Sequence, residues 1–183
     1  MKINKVDFQD KKFKETLKSY LLESQPYEGY SSDFSNIYIN DRVENFIKSD
    51  LSRSDFSSSF VSNKGDSLFF LFCKKDIQNN SLQIIFPFPN TKLVNITSFT
   101  RWPFAFCHLM LDQLERAGLD RAYGTIERKN KKSNYEKALI RFGHKMFEIQ
   151  DEEGQRFKKV VIKKENLIKA HKKLSRLYKK YER

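Results

Sequence analysis

The chain has 183 residues, of which 39% are hydrophobic and 14% aromatic, with only six Gly and four Pro. This size and composition fit one domain with a core of its own, and they exclude collagen-like and low-complexity chains. No apolar run approaches the ~20 residues of a membrane span, and the N-terminal sequence MKINKVDFQDKKFKE lacks the apolar centre of a signal peptide. We therefore expect a cytoplasmic protein without a membrane partner.

The net charge of +12 is concentrated at one end of the chain. Residues 155–183 carry twelve Lys and Arg against two Glu, so they hold ten of the twelve net positive charges. Such asymmetry indicates contact between this segment and nucleic acid or another polyanion.

The two cysteines, Cys73 and Cys107, lie in apolar surroundings, and we expect both to be buried, reduced thiols. The cysteines and the three histidines do not have the spacing of metal ligands, so no metal site is predicted. We interpret His108, His144 and His171 as packed or surface side chains.

The first half of the chain predicts short helices followed by strands. Residues 11–22 predict a helix, with Phe13, Leu17, Tyr20 and Leu21 on one side. Residues 37–39 predict a strand, and Asn40–Asp41 would cap a second helix containing Val43, Phe46 and Ile47. Strands are predicted over 56–61, 67–74 and 82–88, with turns at 63–66 and 76–81.

The second half alternates strands and helices. Strands are predicted over 93–99 and 122–127, and helices over 104–117, ended by Gly118, and 133–141, ended by Gly143. A hairpin with strands at 145–149 and 157–162 follows. The last helix, 166–181, has an apolar stripe of Leu167, Ala170, Leu174, Leu177 and Tyr181 that favours docking on the domain over a coiled coil. The fold class is therefore mixed α/β.

Residues 100–106, TRWPFAF, predict an anion-binding turn before a helix. A helix N-terminus presents free N–H groups and a partial positive charge. Arg101 would add a forked cation suited to phosphate, and Pro103 fits the first helical turn. The alternative is a hydrophobic plug, Trp102 to Phe106, that packs the helix onto a sheet.

With its flanking elements, this segment resembles the acyl-CoA-binding core of the GNAT N-acetyltransferase superfamily. Arg101 matches the first residue of the family's Arg/Gln-x-x-Gly-x-Gly/Ala turn, and Phe104 and Phe106 replace its two glycines. Asn130 and Ser133 resemble the Asn-x-x-Ser/Ala signature, and Gly143 the Gly-Phe that follows.

The resemblance implies a GNAT-like domain over 1–164 with a basic amphipathic helix over 165–183. It implies acetyl-CoA or another acyl-CoA as donor and an amine-bearing acceptor. Strand 93–99 would align the thioester through its backbone. The implied cofactor-binding residues are Asn95, Thr97, Phe99, Arg101, Trp102, Phe104, Ala105, Phe106, Asn130 and Ser133.

Acyl transfer to an amine needs a base for the amine and an acid for the leaving thiolate. Glu127 and Tyr123 share one face of their strand and are the first candidates. In the GNAT family a tyrosine acts as the general acid. Counted back from Gly143, its position falls on Leu139, and the nearest tyrosine is Tyr135.

Two basic segments support an alternative function as a nucleic-acid-binding module or a nucleic-acid-modifying transferase. The loop residues Arg128, Lys129, Lys131 and Lys132 could clamp the CoA 3′-phosphate or contact a nucleic-acid backbone, unless they form a solvated loop. The last helix would offer a salt-sensitive, sequence-independent phosphate surface, formed by Lys172, Lys173, Arg176, Lys179 and Lys180. A solvated basic face is the other reading of this helix.

Overall fold

A computed structural model of the chain describes residues 2–24, 32–62, 65–90, 101–127, 140–141, 143–150 and 156–181. Within these ranges seven strands form one sheet. They are β1 (Lys2–Lys5), β2 (Phe56–Val61), β3 (Ser67–Asp76), β4 (Ser81–Pro89), β5 (Arg121–Glu127), β6 (Lys145–Gln150) and β7 (Arg156–Lys163).

The strand order across the sheet is β1-β2-β3-β4-β5-β7-β6. All neighbours are antiparallel except β4 and β5, which are parallel. Helices pack on both faces, which confirms the mixed α/β class. They are α1 (Lys11–Ser24), α2 (Ser32–Ser49), α3 (Arg101–Ala117) and α4 (Lys164–Tyr181), with a short 3-10 helix at Leu51–Arg53.

Strand β3, the third strand of the sheet, is covered on both of its faces. Phe69, Leu71 and Cys73 join a first core with α3 and α4, while Phe70 and Phe72 join a second core with α1 and α2. A strand buried on both sides has a nearly continuous apolar sequence, and SLFFLFC has this property.

The α1–α2 layer corrects one prediction. Residues 37–39 lie inside α2, so the predicted strand there is wrong, and Asn40–Asp41 are within the helix instead of capping it. Val43 and Ile47, one helical turn apart, are buried in the second core. This tertiary packing, together with the length of the helix, outweighs the β-propensity of three residues.

The helix α4 docks on the domain, as its stripe predicts. Leu167, Ala170, Leu174 and Tyr178 are buried in the first core beside α3. Leu177 is 39% exposed, so the stripe continues through Tyr178 and not through the predicted Leu177. The division into 1–164 and 165–183 stays a prediction.

Glycines end two helical segments, as predicted. Gly118 has φ 67°, and Leu119 donates to the carbonyl of Leu114 across the end of α3. Gly143 has φ 76°, and its N–H donates to the carbonyl of Ile140. The predicted strand 93–99 and the predicted helix up to residue 139 lie outside the described residues.

Both cysteines are buried and unbonded to each other, as expected. Burial raises the pKa of both thiols, that of Cys107 to about 12. Neither thiol is therefore a reactive nucleophile.

Candidate functional site

The parallel strands β4 and β5 separate soon after they begin. They pair only through Leu82 with Ala122 and Gln83 with Tyr123, although β4 continues to Pro89 and β5 continues beyond the paired residues. The described parts of the two strands therefore leave a wedge that opens toward their C-terminal ends, here called the β4–β5 gap. Ligands of open α/β sheets bind at such a place.

A bulge in β4 explains the separation. Cys73 pairs with Ile84 and Phe72 with Phe86, which leaves Ile85 as an extra residue. Ile84 packs against the first core, whereas Ile85 and Phe86 pack against the second. A bulge bends its strand and is frequent beside binding sites, and this one turns β4 away from β5.

The edge of β4 that faces the gap is poor in hydrogen-bond donors. The N–H of Asn90 donates to the Leu68 carbonyl at 2.9 Å. Because backbone groups alternate in direction along a strand, Phe88 also points its N–H at β3, whereas Pro87 and Pro89 face the gap. Proline has no N–H, so these two positions offer carbonyl oxygens only. This edge suits a ligand that carries N–H groups.

The helix that follows β4 begins earlier than predicted. Helix α3 starts at Arg101, not at residue 104, so Arg101 and Trp102 are helical and do not precede the helix. Pro103 is its third residue, where its missing N–H is harmless. The first-turn N–H groups of Arg101, Trp102 and Phe104 have no partner within the helix by geometry. The side chains of Arg101 and Trp102 lie outside the described residues.

Three residues predicted to bind the cofactor have their side chains in the core. Phe104, Ala105 and Phe106 are each at most 2% exposed. The Phe104 ring stacks on Tyr178 at 4.6 Å between centroids, and the Phe106 ring meets Phe69 edge-on at 6.2 Å. Because these side chains pack in the core, their residues are helical, and the N-terminus of α3 lies at Arg101. For these three side chains the alternative prediction of a hydrophobic plug is correct, and only their backbone could contact a ligand.

Tyr123 lies at the closed end of the gap and is engaged elsewhere. Its hydroxyl donates to Asp76 Oδ2 at 2.7 Å, and Lys159 Nζ lies 4.5 Å from its ring centroid. Burial and the hydrogen bond to Asp76 raise the pKa of Tyr123 to about 12. A phenol that holds its proton this firmly is a poor acid for a thiolate, so the geometry disfavours the predicted role.

The other predicted catalytic and cofactor residues lie at the edge of the described part or outside it. Strand β5 ends at Glu127, at the open end of the gap, but its side chain is outside the described residues. The following predicted residues are wholly outside: Asn95, Thr97, Phe99, Arg128, Lys129, Asn130, Lys131, Lys132, Ser133 and Tyr135.

The last helix exposes part of its predicted basic face. Lys172, Lys173 and Arg176 are exposed on α4. Lys179 and Lys180 belong to the same helix, with side chains outside the described residues. Lys172, Lys173 and Arg176 point away from the first core, on the helix side of the sheet.

The histidines are packed side chains. His108 Nδ1 and His171 Nε2 are 3.0 Å apart where α3 meets α4, and both rings stack near Phe104. His144 is 6% exposed, and burial lowers its pKa to about 4. Among the described residues, no three His, Cys, Asp or Glu side chains come together as metal ligands.

Sequence reasoning missed the bulge at Ile85 and the prolines of the gap. The sequence predicts that this strand ends at residue 88, because prolines interrupt a strand, but Pro87 and Pro89 both lie within β4. The available signal was a proline inside an apolar strand, which is tolerated where the strand has no neighbour on that side.

No protein-family model and no curated protein matches the chain. Solved structures do match it. FdhC, a nucleotide-linked sugar GNAT in apo form, has a TM-score of 0.64 at 10% identity, over 95% of this chain and 92% of that chain. The chain has the GNAT fold.

Two further GNAT-fold matches are N-acetyltransferases. A mutant of the spermidine N-acetyltransferase SpeG from Vibrio cholerae has a TM-score of 0.61 at 8% identity, over 91% of this chain and 97% of that one. An aminoglycoside 6′-N-acetyltransferase complexed with coenzyme A has a TM-score of 0.57 at 10% identity, over 89% and 97%. The resemblance to GNAT proteins is thus confirmed at the level of the fold. The replacement of the turn glycines by Phe104 and Phe106 stays a prediction.

None of the helices in the described part of the chain is long and apolar enough to cross a membrane.

Proposed function

We propose that this protein is an N-acyltransferase that moves an acyl group, with acetyl as the first donor to test, from acyl-CoA to an amine-bearing acceptor. The observation that carries the proposal is the β4–β5 gap within a GNAT fold, followed in the chain by α3. The neighbour with bound coenzyme A supports the choice of donor.

The CoA phosphates would contact the N-terminus of α3. There the backbone N–H groups of Arg101, Trp102 and Phe104 point out of the helix, and Arg101 adds a permanent cation. Asn130, Ser133 and the basic loop 128–132 would complete this end of the site. Phe104 and Phe106 would take part only through the backbone, since their side chains fill the core.

The pantetheine arm would lie along β4. Its amide N–H groups are donors, and the carbonyls of Pro87 and Pro89 are the acceptors that β4 presents to the gap. The same two residues cannot donate to the thioester oxygen. Any donor to that oxygen must therefore come from another residue.

The acceptor amine would enter at the open end of the gap. Glu127 ends β5 there and is our candidate base, with Tyr135 in the segment that follows as candidate acid. A base must come within hydrogen-bond reach of the amine proton, and Glu127 is the acidic residue of β5 closest to that end.

Ligand binding tests the donor. Acetyl-CoA at ~100 times its Kd should raise the Tm by roughly 5–10 °C, because a ligand that binds only the folded state stabilises it by mass action. Arg101→Ala should weaken binding about tenfold by removing a charged partner of phosphate. The matched control is Lys48→Ala, which removes an exposed cation of α2. Absence of a shift at millimolar acetyl-CoA overturns the proposal.

Transfer itself is measured with a panel of small amines, polyamines and peptides, by reaction of released CoA with a thiol reagent. The buried Cys73 and Cys107 will not react with the reagent in the folded protein. Glu127→Gln should lower the rate at least 100-fold with little change in acetyl-CoA affinity. If Glu127→Gln transfers at the wild-type rate, Glu127 is not the base.

A second candidate function is nucleic-acid binding through α4, either alone or to present a nucleic-acid acceptor. It is favoured by the exposure of Lys172, Lys173 and Arg176 on a helix whose apolar side is buried. Replacing all three by Ala should reduce duplex DNA binding and its salt dependence. Equal binding by the triple variant at low salt would exclude this surface, and mass spectrometry of nucleosides after incubation with acetyl-CoA tests the acceptor.

A further inference from the structure

The two faces of the sheet are covered to different extents. The second core draws its sheet residues from β3 and β4, and no described residue of β5, β6 or β7 belongs to it. Alternate residues of those three strands therefore form a surface that the described helices leave uncovered, here called the open face. It consists of Arg121, Tyr123 and Thr125 on β5, Phe157, Lys159, Val161 and Lys163 on β7, and Lys145, Phe147 and Ile149 on β6.

Aromatic side chains occupy each of the three strands of the open face. Phe147 is 51% exposed, and Phe157 is half-buried on the neighbouring strand. Phe147 pairs with Lys159, so Phe157 is its diagonal neighbour, with Cβ atoms about 7–8 Å apart by sheet geometry. Large exposed aromatic groups on a sheet mark an interaction surface.

Cations alternate with the aromatic residues. Lys145 on β6 pairs with Val161, Lys159 is two residues from Val161 on β7, and Arg121 and Lys163 pair at the end of the face. Lys159 Nζ is held over the Tyr123 ring at 4.5 Å. Lys163 has an exposed partner in Glu165 at 3.8 Å, an ion pair that contributes little in water.

The charge of the open face decides between possible occupants. Its described side chains include four cations; Asp76, the acceptor of the Tyr123 hydrogen bond, lies at the border, and Glu127, which pairs with Phe157 on the same face, has its side chain outside the described residues. A second copy docked face to face would bring like charges together, which is destabilising. A polyanion with exposed flat rings would satisfy both the lysines and the aromatic groups.

We propose that the open face binds single-stranded nucleic acid, with bases stacked on Phe147 and Phe157 and phosphates beside Lys145, Lys159 and Arg121. Such platforms combine aromatic stacking with a cationic track and tolerate any sequence. A duplex keeps its bases inside the stack and cannot use the aromatic groups. This surface is separate from α4, which packs on the opposite side of the sheet, and it goes beyond the acyl-transfer proposal.

The test is fluorescence anisotropy of a labelled deoxythymidine oligonucleotide about 12 nucleotides long, within the usual site size, with the full-length protein at low salt. Phe147→Leu keeps an apolar side chain but removes the ring, and we expect binding about tenfold weaker. Phe147→Trp should bind at least as well as the wild type. Lys145→Ala should lower the slope of log K against log salt by about 0.7, the value for one phosphate contact on a single strand.

Two controls locate the effect. Ile77→Ala removes another exposed apolar residue, 83% exposed at the β3–β4 turn, and should bind like the wild type. Lys48→Ala removes an exposed cation of α2, outside both the open face and α4, and should leave single-strand binding within about twofold.

Four results would overturn the proposal. They are no binding of the oligonucleotide at low salt, equal binding by Phe147→Leu, equal affinity for a duplex of the same length when Lys172, Lys173 and Arg176 are all replaced by Ala, and loss of single-strand binding only in that α4 triple variant. A dimer in sedimentation that Phe147→Leu dissolves, with oligonucleotide binding unchanged, would make the open face an interface between copies instead.

Discussion

The two halves of the sheet use their side chains differently. In β3 and β4 both faces are covered, and Phe70, Phe72 and Phe88 stack in the second core with ring centroids 4.7–6.2 Å apart. In β5, β7 and β6 one face packs on α3 and α4 through Val160 and Ile162, while the other is the open face.

The two halves therefore contribute differently: side chains of the first act on the stability of the fold, and those of the second are accessible to a ligand. The half covered on both sides packs the aromatic side chains of the second core, which include Phe86 and Phe88 of β4. The other half leaves polar and aromatic groups accessible, and it contributes β5 to the gap. Substitutions in the two halves should therefore have different consequences even when the residue type is the same.

The largest expected effect is the loss of a phenylalanine from the half covered on both sides. Phe88→Ala should lower the free energy of unfolding by about 3–5 kcal/mol, because Phe88 is fully buried and leaves a cavity. Phe147→Ala, on the open face, should cost less than about 1 kcal/mol. Chemical denaturation measures both, and similar losses would show that the two halves do not differ as described.

Acid should destabilise the protein through histidines on the covered side of the second half. Burial lowers the pKa of His144 to about 4 and lowers those of His108 and His171. An unfolded histidine titrates near 6.5, so the unfolded state takes up these protons first. Stability is then fully present above about pH 6.5 and is lost as the pH falls toward 4.

His144 should account for on the order of 2–3 kcal/mol of this loss. Denaturation curves between pH 7 and about 4.5 test this, with His144→Phe expected to flatten the dependence in part. The same slope in His144→Phe and the wild type would contradict the assignment to His144.

Tyr123, on β5 where the two halves of the sheet meet, tests whether a side chain there has a structural or a catalytic role. Tyr123→Phe removes the hydrogen bond to Asp76 but keeps the ring under Lys159. We expect the Tm to fall by only a few degrees and the acyl-transfer rate to change less than tenfold. A loss of rate of 100-fold or more with the Tm preserved would restore Tyr123 as a catalytic residue.

Pro87 gives the smallest expected effect. Pro87→Ala restores an N–H on the gap edge of β4, and the added chain freedom should lower stability by at most about 1 kcal/mol. The wild type should bind acetyl-CoA and CoA with similar affinity, since neither Pro87 nor Pro89 can donate to the thioester oxygen. Isothermal titration calorimetry should show that the variant binds acetyl-CoA more tightly than CoA. If the ratio of the two Kd values is the same as in the wild type, residue 87 does not face the acyl group.

Much of the fold follows from local pattern. The run SLFFLFC predicts the doubly covered strand β3, the spacing of Phe13, Leu17 and Leu21 predicts α1, and Gly118 predicts the end of α3. These signals depend on residues close in sequence. The strand predicted at 37–39 failed because three apolar residues cannot indicate the length of a helix that forms by packing onto distant strands.

The site was predictable only in outline. The resemblance around Arg101 led to the fold, but it treated Phe104 and Phe106 as parts of a cofactor turn when they are core side chains. Alternation along the strand predicts one face for Tyr123 and Glu127, but it does not predict that the partner of Tyr123 is Asp76, 47 residues away. Sequence spacing carries no information about such a contact.

The sequence alone determined the mixed α/β class, the order of most elements, the two buried thiols and the docking side of the last helix, because hydrophobic periodicity and chain-breaking residues act over short distances. Tertiary structure alone decided where β4 leaves β5, that Pro87 and Pro89 face the gap, and which face of the second half the described helices leave uncovered. Those features depend on register between strands, where one extra residue, Ile85, moves every following side chain of β4 to the other face.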